Sequence, residues 1–381
     1  MNAARRHVGR AFSSTPRTLR SVAQKRTVFN LKGGSKAGAA AATEAVAPAA
    51  AAAPIAAPQS LKKLGRDKKP ELPAVNAPPP GFVPVELPGR AKKIQTFFID
   101  NPAGVSELAD RLWTQALAGR ANDDNCLYVD LEGADLCRDG SLSLLIFYST
   151  RLREAFVVDV FLLQAAAFTT RGSKHDVSLQ DILESADCRK AFFDVRNDSD
   201  ALFWHYGVGL RGCEDIQLME NASRDDGNRN LVSGLMKCMT KILTVAEKEE
   251  WDNAKAAGKD LFNRGSFEVF DVRPLSPEII SYCVGDVYYL PRLRKAHWKK
   301  LSEEWREKVM EETKARIVES QQELYQPLKA AMARGPWEAD WVWVPLEEYK
   351  PQEYKPRASR PAPRPTWAKK KRREVQLKGE H

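Results

Sequence analysis

Apolar and polar residues alternate along the middle of this chain with two periods, near 2 and near 3.6, and the switches between them mark out its elements. Residues 94–99, Ile94-Gln95-Thr96-Phe97-Phe98-Ile99, read as a strand, with order beginning near Lys93. Asn101-Pro102 then opens a helix whose apolar stripe runs through Val105, Leu108, Leu112 and Ala116. Strand-like runs follow at 127–133, 142–148 and 155–160, with Arg138-Asp139-Gly140 as a turn and connections short enough for hairpins. A helical pattern from Ser178 places Leu179, Ile182 and Leu183 together. It gives way to a short strand at 190–195, then to a helix from Ser199 through Leu202, Phe203 and Tyr206 that stops at Gly207. Residues 214–218 read as one more strand, and the chain is mostly helical from there to Leu324. The last long helix, over 297–330, carries Trp298, Leu301, Trp305, Val309, Ile317 and Leu324, and core packing is the default for such a stripe. Three strands followed by alternating helices and strands imply a mixed α/β sheet with helices on its faces.

One of these runs carries chemistry. In Leu127-Tyr128-Val129-Asp130-Leu131-Glu132-Gly133, two acids sit two residues apart in an otherwise apolar strand, so Asp130 and Glu132 project from the same face. Buried like charges repel, and hard oxygen ligands of this kind are usually neutralised by Mg²⁺ or Mn²⁺. Acids at a solvated strand end need no such explanation, so this stretch does not decide between the two by itself.

Charge changes the picture more than overall composition does. The 381 residues are 43% hydrophobic and carry a net charge of +9, but residues 1–90 hold 15 basic against 4 acidic side chains and residues 350–381 hold 11 against 3. The intervening 91–349 hold 33 against 43, a net of −10. An acidic body between basic tails fits a metal site acting on a polyanion, the tails supplying the attraction that the body lacks. Tails that serve only solubility or targeting would look the same. The longest apolar run outside the alanine tract, at 142–148, is too short to span a membrane. The six cysteines are scattered, with no Cys-x-x-Cys pair, and read as reduced structural thiols. His205, beside Trp204 in a helical pattern, reads as a packed or surface histidine.

The flanks divide by composition. Residues 1–36 are Arg-rich, contain Ser and Thr, and lack acids, as mitochondrial transit peptides do; Arg10-Ala11-Phe12-Ser13-Ser14 resembles a matrix-protease site cut after Phe12. Residues 37–92 are Ala/Pro-rich and read as a linker. A folded body is expected over 93–300 and a helix with a Trp-rich extension over 301–349. Residues 350–381 are expected to form a disordered basic tail whose Lys369-Lys370-Lys371-Arg372-Arg373 could contact phosphate or act as a nuclear import signal.

Two further acid clusters complete a pattern. In Asp194-Val195-Arg196-Asn197-Asp198-Ser199-Asp200, Asp198 stands at the start of a helix, where an acid also serves as a dipole or cap partner. In Pro277-Glu278-Ile279-Ile280-Ser281-Tyr282-Cys283-Val284-Gly285-Asp286, Tyr282 and Asp286 are four apart on one helix face. Taken together over about residues 93–300, the three clusters resemble the DEDD (DnaQ-like) superfamily of 3′–5′ exonucleases. The likeness is to its Tyr-containing branch, with RNase D and the Werner-type exonuclease domain. Asp130-Leu131-Glu132-Gly133 matches the first motif, with Gly140-Ser141-Leu142-Ser143-Leu144-Leu145-Ile146 as the strand that accompanies it. Asp198, nine residues before Gly207, matches the second motif, and Tyr282 with Asp286 the third. The stretch from Pro274-Leu275-Ser276-Pro277 to Leu290-Pro291 is the most specific part. Phe193-Asp194-Val195-Arg196-Asn197-Asp198-Ser199 looks closest to the Egalitarian-like subgroup, whose members are not all known as active nucleases and which often has His where Phe193 stands. Asp200 fits the second motif less well than Asp198.

The resemblance implies a ribonuclease H-like sheet and a metal-dependent 3′–5′ exonuclease acting on RNA or single-stranded DNA. Asp130, Glu132 and Asp286 would hold one Mg²⁺ or Mn²⁺, and Asp130 with Asp198 a second. Two such ions, about 3.5–4 Å apart, stabilise the attacking and leaving oxygens of an in-line phosphoryl displacement. Tyr282 would orient or help deprotonate the attacking water. A protein that keeps the fold and binds nucleic acid without turnover is the alternative. Helices around Gly234–Met239 and Glu247–Trp251 are expected over the site; Lys237 and Lys241 could meet phosphate or form a solvated face. Trp337, Trp341 and Trp343 could stack on bases or pack against the body. The nuclease reading fails if Asp198 or Asp286 lies out of range of Asp130, or if a salt bridge fills the pocket instead.

Overall fold

The computed structural model describes residues 78–87, 94–117, 125–225, 227–264, 267–327 and 330–337, all within the contact-defined unit Leu72–His381. The targeting-like start, Trp341, Trp343 and the basic tail lie outside the described residues. In chain order the elements are β1 (Val83–Pro84), β2 (Gln95–Ile99), α1 (Pro102–Leu117), β3 (Leu127–Glu132), β4 (Leu144–Ser149), β5 (Glu154–Asp159), α2 (Val160–Leu163), α3 (Ala166–Thr169), α4 (Leu179–Glu184) and β6 (Lys190–Phe192). Then follow α5 (Val195–Tyr206), β7 (Cys213–Asp215), α6 (Ile216–Ala222), α7 (Leu235–Ile242), α8 (Val245–Arg264), α9 (Pro277–Tyr288), α10 (Leu290–Trp298) and α11 (Glu303–Ser320).

The three apolar six-residue runs β3, β4 and β5 pair as an antiparallel meander because their links are too short for anything else. Parallel strands are added on both sides: β2 on β5, and β6 then β7 on β3. With β1 antiparallel to β2, the sheet has the order β1-β2-β5-β4-β3-β6-β7. The expected mixed α/β sheet with helices on its faces is therefore present.

Alternation along the strands feeds two cores. Leu127, Val129 and Leu131 of β3 join Leu145, Phe147, Phe156 and Val158 in one, packed against α1, α4 and α5. Tyr128 joins Leu144, Ile146, Tyr148 and Val157 in the other, under α6, α9 and α10. Asp130 and Glu132 share the parity of Tyr128, so the face with the acids is the face that α9 covers. Capping sets the helix starts. Asn101 Oδ1 accepts from Gly104 N at 3.0 Å, Ser178 closes a capping box with Asp181, and Ser276 accepts from Ile279 N ahead of Pro277. Gly207 ends α5 at φ 72°, a left-handed conformation that only glycine adopts freely.

The structure departs from the pattern in places where a long-range contact overrides it. β1 lies upstream of Lys93, with Phe82 and Leu87 buried, inside the stretch read as linker. The strand expected over 214–218 ends at Asp215, whose carboxylate accepts from Gln217 N and starts α6. The helix expected from Ser199 starts four residues earlier, because Asp215 also receives the backbone N–H groups of Asp194 (3.0 Å) and Val195 (3.3 Å). The single helix expected over 297–330 is broken: α10 ends at Trp298, Ser302 caps α11, and α11 stops at Ser320, leaving Leu324 89% exposed. The short helices α2 and α3 had no periodic signal. α11 packs on α5 and β7, with Val309 and Ile317 buried and Arg316 paired to Asp215 at 2.7 Å. Among the described residues no helix is long and apolar enough to cross a membrane.

Candidate active site

Three elements bring the sequence-predicted acids together. Asp130 and Glu132 stand half-buried at the end of β3, where β4 pairs alongside both residues while β6 pairs only as far as Tyr128. Tyr282 and Asp286, one turn apart on α9, face the same strand, and Asp286 is 7% exposed. Asp198 lies in the first turn of α5, also 7% exposed. Oxygens of Asp130, Glu132 and Asp286 lie within 4.8 Å of one another, a spacing one hard cation can bridge. Asp198 stands outside that trio but close enough that the charge of Asp130 raises its pKa.

The electrostatics are those of acids packed without enough compensation. Burial, then the charge of Asp286, pushes Asp130 up to about 8, with the Lys255 ammonium working against the rise. Burial, then Asp130 and Asp286, raises Glu132 well above the usual carboxylate range, and burial with Asp130 and Asp194 does the same to Asp198. Burial, followed by the charges of Glu132 and Asp286, also raises the Tyr282 phenol.

A salt bridge is present in this pocket. Lys255 Nζ of α8 pairs with Asp286 Oδ2, and the same ammonium sits 3.4 Å from the centroid of the Tyr282 ring. This bridge occupies part of the pocket that the nuclease reading gives to a metal ion, but it does not fill it. Among the described residues, one ammonium against these four carboxylates leaves a net charge of −3 when all are ionised. Among the described residues Asp286 Oδ1 and Asp198 Oδ1 remain buried with no hydrogen-bond partner. Orphaned buried carboxylate oxygens are costly, and this donor set of oxygens alone suits Mg²⁺ or Mn²⁺. The residues fit a divalent ion.

The neighbouring candidates resolve by contact. Asp200 is not a ligand: its oxygens accept from Arg138 N at 2.6 Å and Nε at 2.7 Å, and Arg138 in turn donates to carbonyls of Ser320, Gln322 and Glu323. His205 packs, its Nε2 2.9 Å from the Cys137 carbonyl, and all six cysteines are buried. Lys241 pairs with Glu220 at 3.3 Å while Lys237 is exposed, the solvated-face arrangement. Trp337 packs edge-on against Trp305 with centroids 5.3 Å apart. Phe193 rests half-buried against the α9-side core.

Sequence reasoning missed Lys255 and Gly258. The spacing Trp251, Lys255, Gly258 puts all three on one face of α8, against α9. A Cβ on Gly258 would come within 2.4 Å of Tyr282 Cδ2, so the missing side chain is what lets the two helices approach. A lysine inside a charged helix carries no local sign that it turns inward.

A family model described as 3′–5′ exonuclease matches residues 109–302, which hold all of these acids, Tyr282 and Lys255. No curated protein matches the chain. Among solved structures, RNase D of Trypanosoma brucei is similar at 22% identity with a TM-score of 0.50, over 64% of this chain and 79% of that one. Its complex with GMP gives 22% identity and a TM-score of 0.49, over 63% of this chain and 69% of that one. At such identities the likeness is one of fold.

Proposed function

Because the chain belongs to the 3′–5′ exonuclease family, we propose that it is a divalent-metal-dependent nuclease releasing nucleoside 5′-monophosphates from the 3′ end of RNA or single-stranded DNA. The observation that carries the proposal is the convergence of Asp130, Glu132 and Asp286 within 4.8 Å, beside an Asp198 whose Oδ1 is buried and, among the described residues, unpaired. In this reading Asp130, Glu132 and Asp286 hold one Mg²⁺ or Mn²⁺, and Asp130 with Asp198 holds a second. When bound, such ions neutralise the carboxylates and stabilise charge on the oxygens of the scissile phosphate. Tyr282 keeps its proton at neutral pH, since its surroundings raise the phenol further, and its O–H orients the attacking water rather than deprotonating it. β3 and α9 hold these groups on rigid elements, so the constellation exists before substrate arrives.

The proposal extends to the finer assignments: the Tyr-containing RNase D and Werner-type branch with Egalitarian-like features, and an exonuclease body at 93–300. In the same assignment 1–36 is a targeting-like segment, 37–92 a linker only as far as the residues that form β1, 301–349 an extension and 350–381 a basic tail. The acidic body between basic tails supports a polyanionic substrate recruited by the tails. The composition of residues 1–36 supports the mitochondrion, with the nucleus as the alternative set by the tail.

The test is incubation of the full chain with labelled single-stranded RNA or DNA and Mg²⁺ or Mn²⁺, beside Asp130→Asn. A ladder shortening from the 3′ end with wild type alone supports the proposal; tight binding without shortening favours a silent binding protein. Imaging of a fluorescent fusion with and without residues 1–36 tests the location.

A further inference from the structure

We infer that Lys255 is a built-in cation of the carboxylate site that competes with a divalent ion for Asp286, so that loading the site displaces the α8 ammonium. The inference rests on the metal-dependent reading above and adds to it a residue outside the three acid clusters.

Three observations carry it. First, Lys255 is not a surface lysine that happens to reach an acid. It is 9% exposed, pairs with Asp286 Oδ2, and lies over the Tyr282 ring with Nζ 3.4 Å from its centroid. Second, the helix that carries it is fitted to this position. Gly258, three residues on, lets α8 close against Tyr282, and Trp251, four residues back, is buried in the same core. Third, the ammonium serves a group that a metal ion would also serve: Asp286 belongs to the trio whose oxygens lie within 4.8 Å of one another.

A monovalent and a divalent cation drawn to one buried carboxylate repel each other across a medium that screens poorly. Lys255 therefore lowers the affinity of the site for the ion while compensating part of its negative charge. The four-carbon stem lets the ammonium swing aside without moving the helix backbone.

The experiment uses the full chain and Mn²⁺ in isothermal titration calorimetry. Lys255→Met, which keeps the length and loses the charge, is expected to bind Mn²⁺ about tenfold or more tightly than wild type, whereas Lys255→Arg stays near wild type. Lys255→Met with unchanged or weaker affinity would overturn the inference and leave Lys255 as a strut. Should that variant not fold, amine acylation of wild type read by peptide mass spectrometry decides. Lys255 becomes reactive on addition of Mn²⁺ if it is displaced, and unaltered reactivity rejects the idea. Wild type that binds no Mn²⁺ at all sinks the metal-dependent reading and this inference together. Binding by wild type without the Lys255 effects sinks only the inference.

Discussion

Replacing Gly258 by alanine sets two effects of known sign against each other. In the interior of an exposed helix the change is favourable by about 1 kcal/mol, because glycine is the weaker helix former. Here the new methyl would stand 2.4 Å from Tyr282 Cδ2, 2.9 Å from Cγ and 3.0 Å from Cβ. Ordinary contact needs about 3.4 Å or more, so the groups must separate by about 1 Å. The Cβ and Cγ atoms of Tyr282 are tied to the α9 backbone, and a rotamer change cannot remove them. The shift has to be taken by two packed helices, which places the cost in the upper part of the roughly 1–3 kcal/mol typical of overpacked sites. The expected net effect is a loss of about 1–2 kcal/mol in urea unfolding of the full chain. Asn253→Ala, exposed on the same helix, is the control and should stabilise slightly. Because the displaced pair includes Tyr282, kcat for strand shortening should fall about tenfold to a hundredfold with KM little changed. Stabilisation of Gly258→Ala comparable to the control would refute the reasoning, since it would mean that α8 does not close on Tyr282.

Asp198 and Asp200 are two residues apart and should respond with opposite signs. Asp200→Asn leaves the Arg138 guanidinium buried without its carboxylate and should cost about 3–5 kcal/mol by chemical denaturation. Asp198→Asn removes a like charge whose ionisation burial already opposes, so thermal stability without added metal should rise while strand shortening is lost. Asp130 gives a pH signature. Its pKa is about 8 in the folded chain against 3.8 as the ordinary value, so the folded form holds the extra proton between them. With a chelator present, the contribution is complete below about pH 4 and is lost as pH rises through about 8. Saturating Mn²⁺, which binds the deprotonated carboxylate, should abolish that decline; a chelated protein whose melting temperature climbs steadily over this window would count against it. At the start of α8, Thr244 N donates to Glu247 Oε2 at 2.9 Å and Glu247 N donates to Thr244 Oγ1 at 3.4 Å. Glu247→Ala should cost about 1 kcal/mol in the same unfolding assay.

What the sequence determined by itself was everything carried by local period and local chemistry. Strand alternation at Leu127 to Glu132 dictated that Asp130 and Glu132 share a face. Helical spacing dictated that Tyr282 and Asp286 share another, and Ser178 and Gly207 marked the ends of helices as their side chains or backbone freedom require. What the tertiary structure alone decided were partners remote in sequence. Asp215 takes up the backbone at the start of α5 and so extends that helix back to Val195, a cap twenty residues away that no local pattern announces. Arg138 claims Asp200 across sixty-two positions and removes it from the acid cluster. Lys255 turns inward from a helix whose sequence reads as charged all round, because Asp286 and the Tyr282 ring, thirty-one and twenty-seven residues on, offer its ammonium a negative charge and a π face. A buried charge is defined by its partner, and in this chain the partners are brought by the sheet and by the packing of α8 on α9.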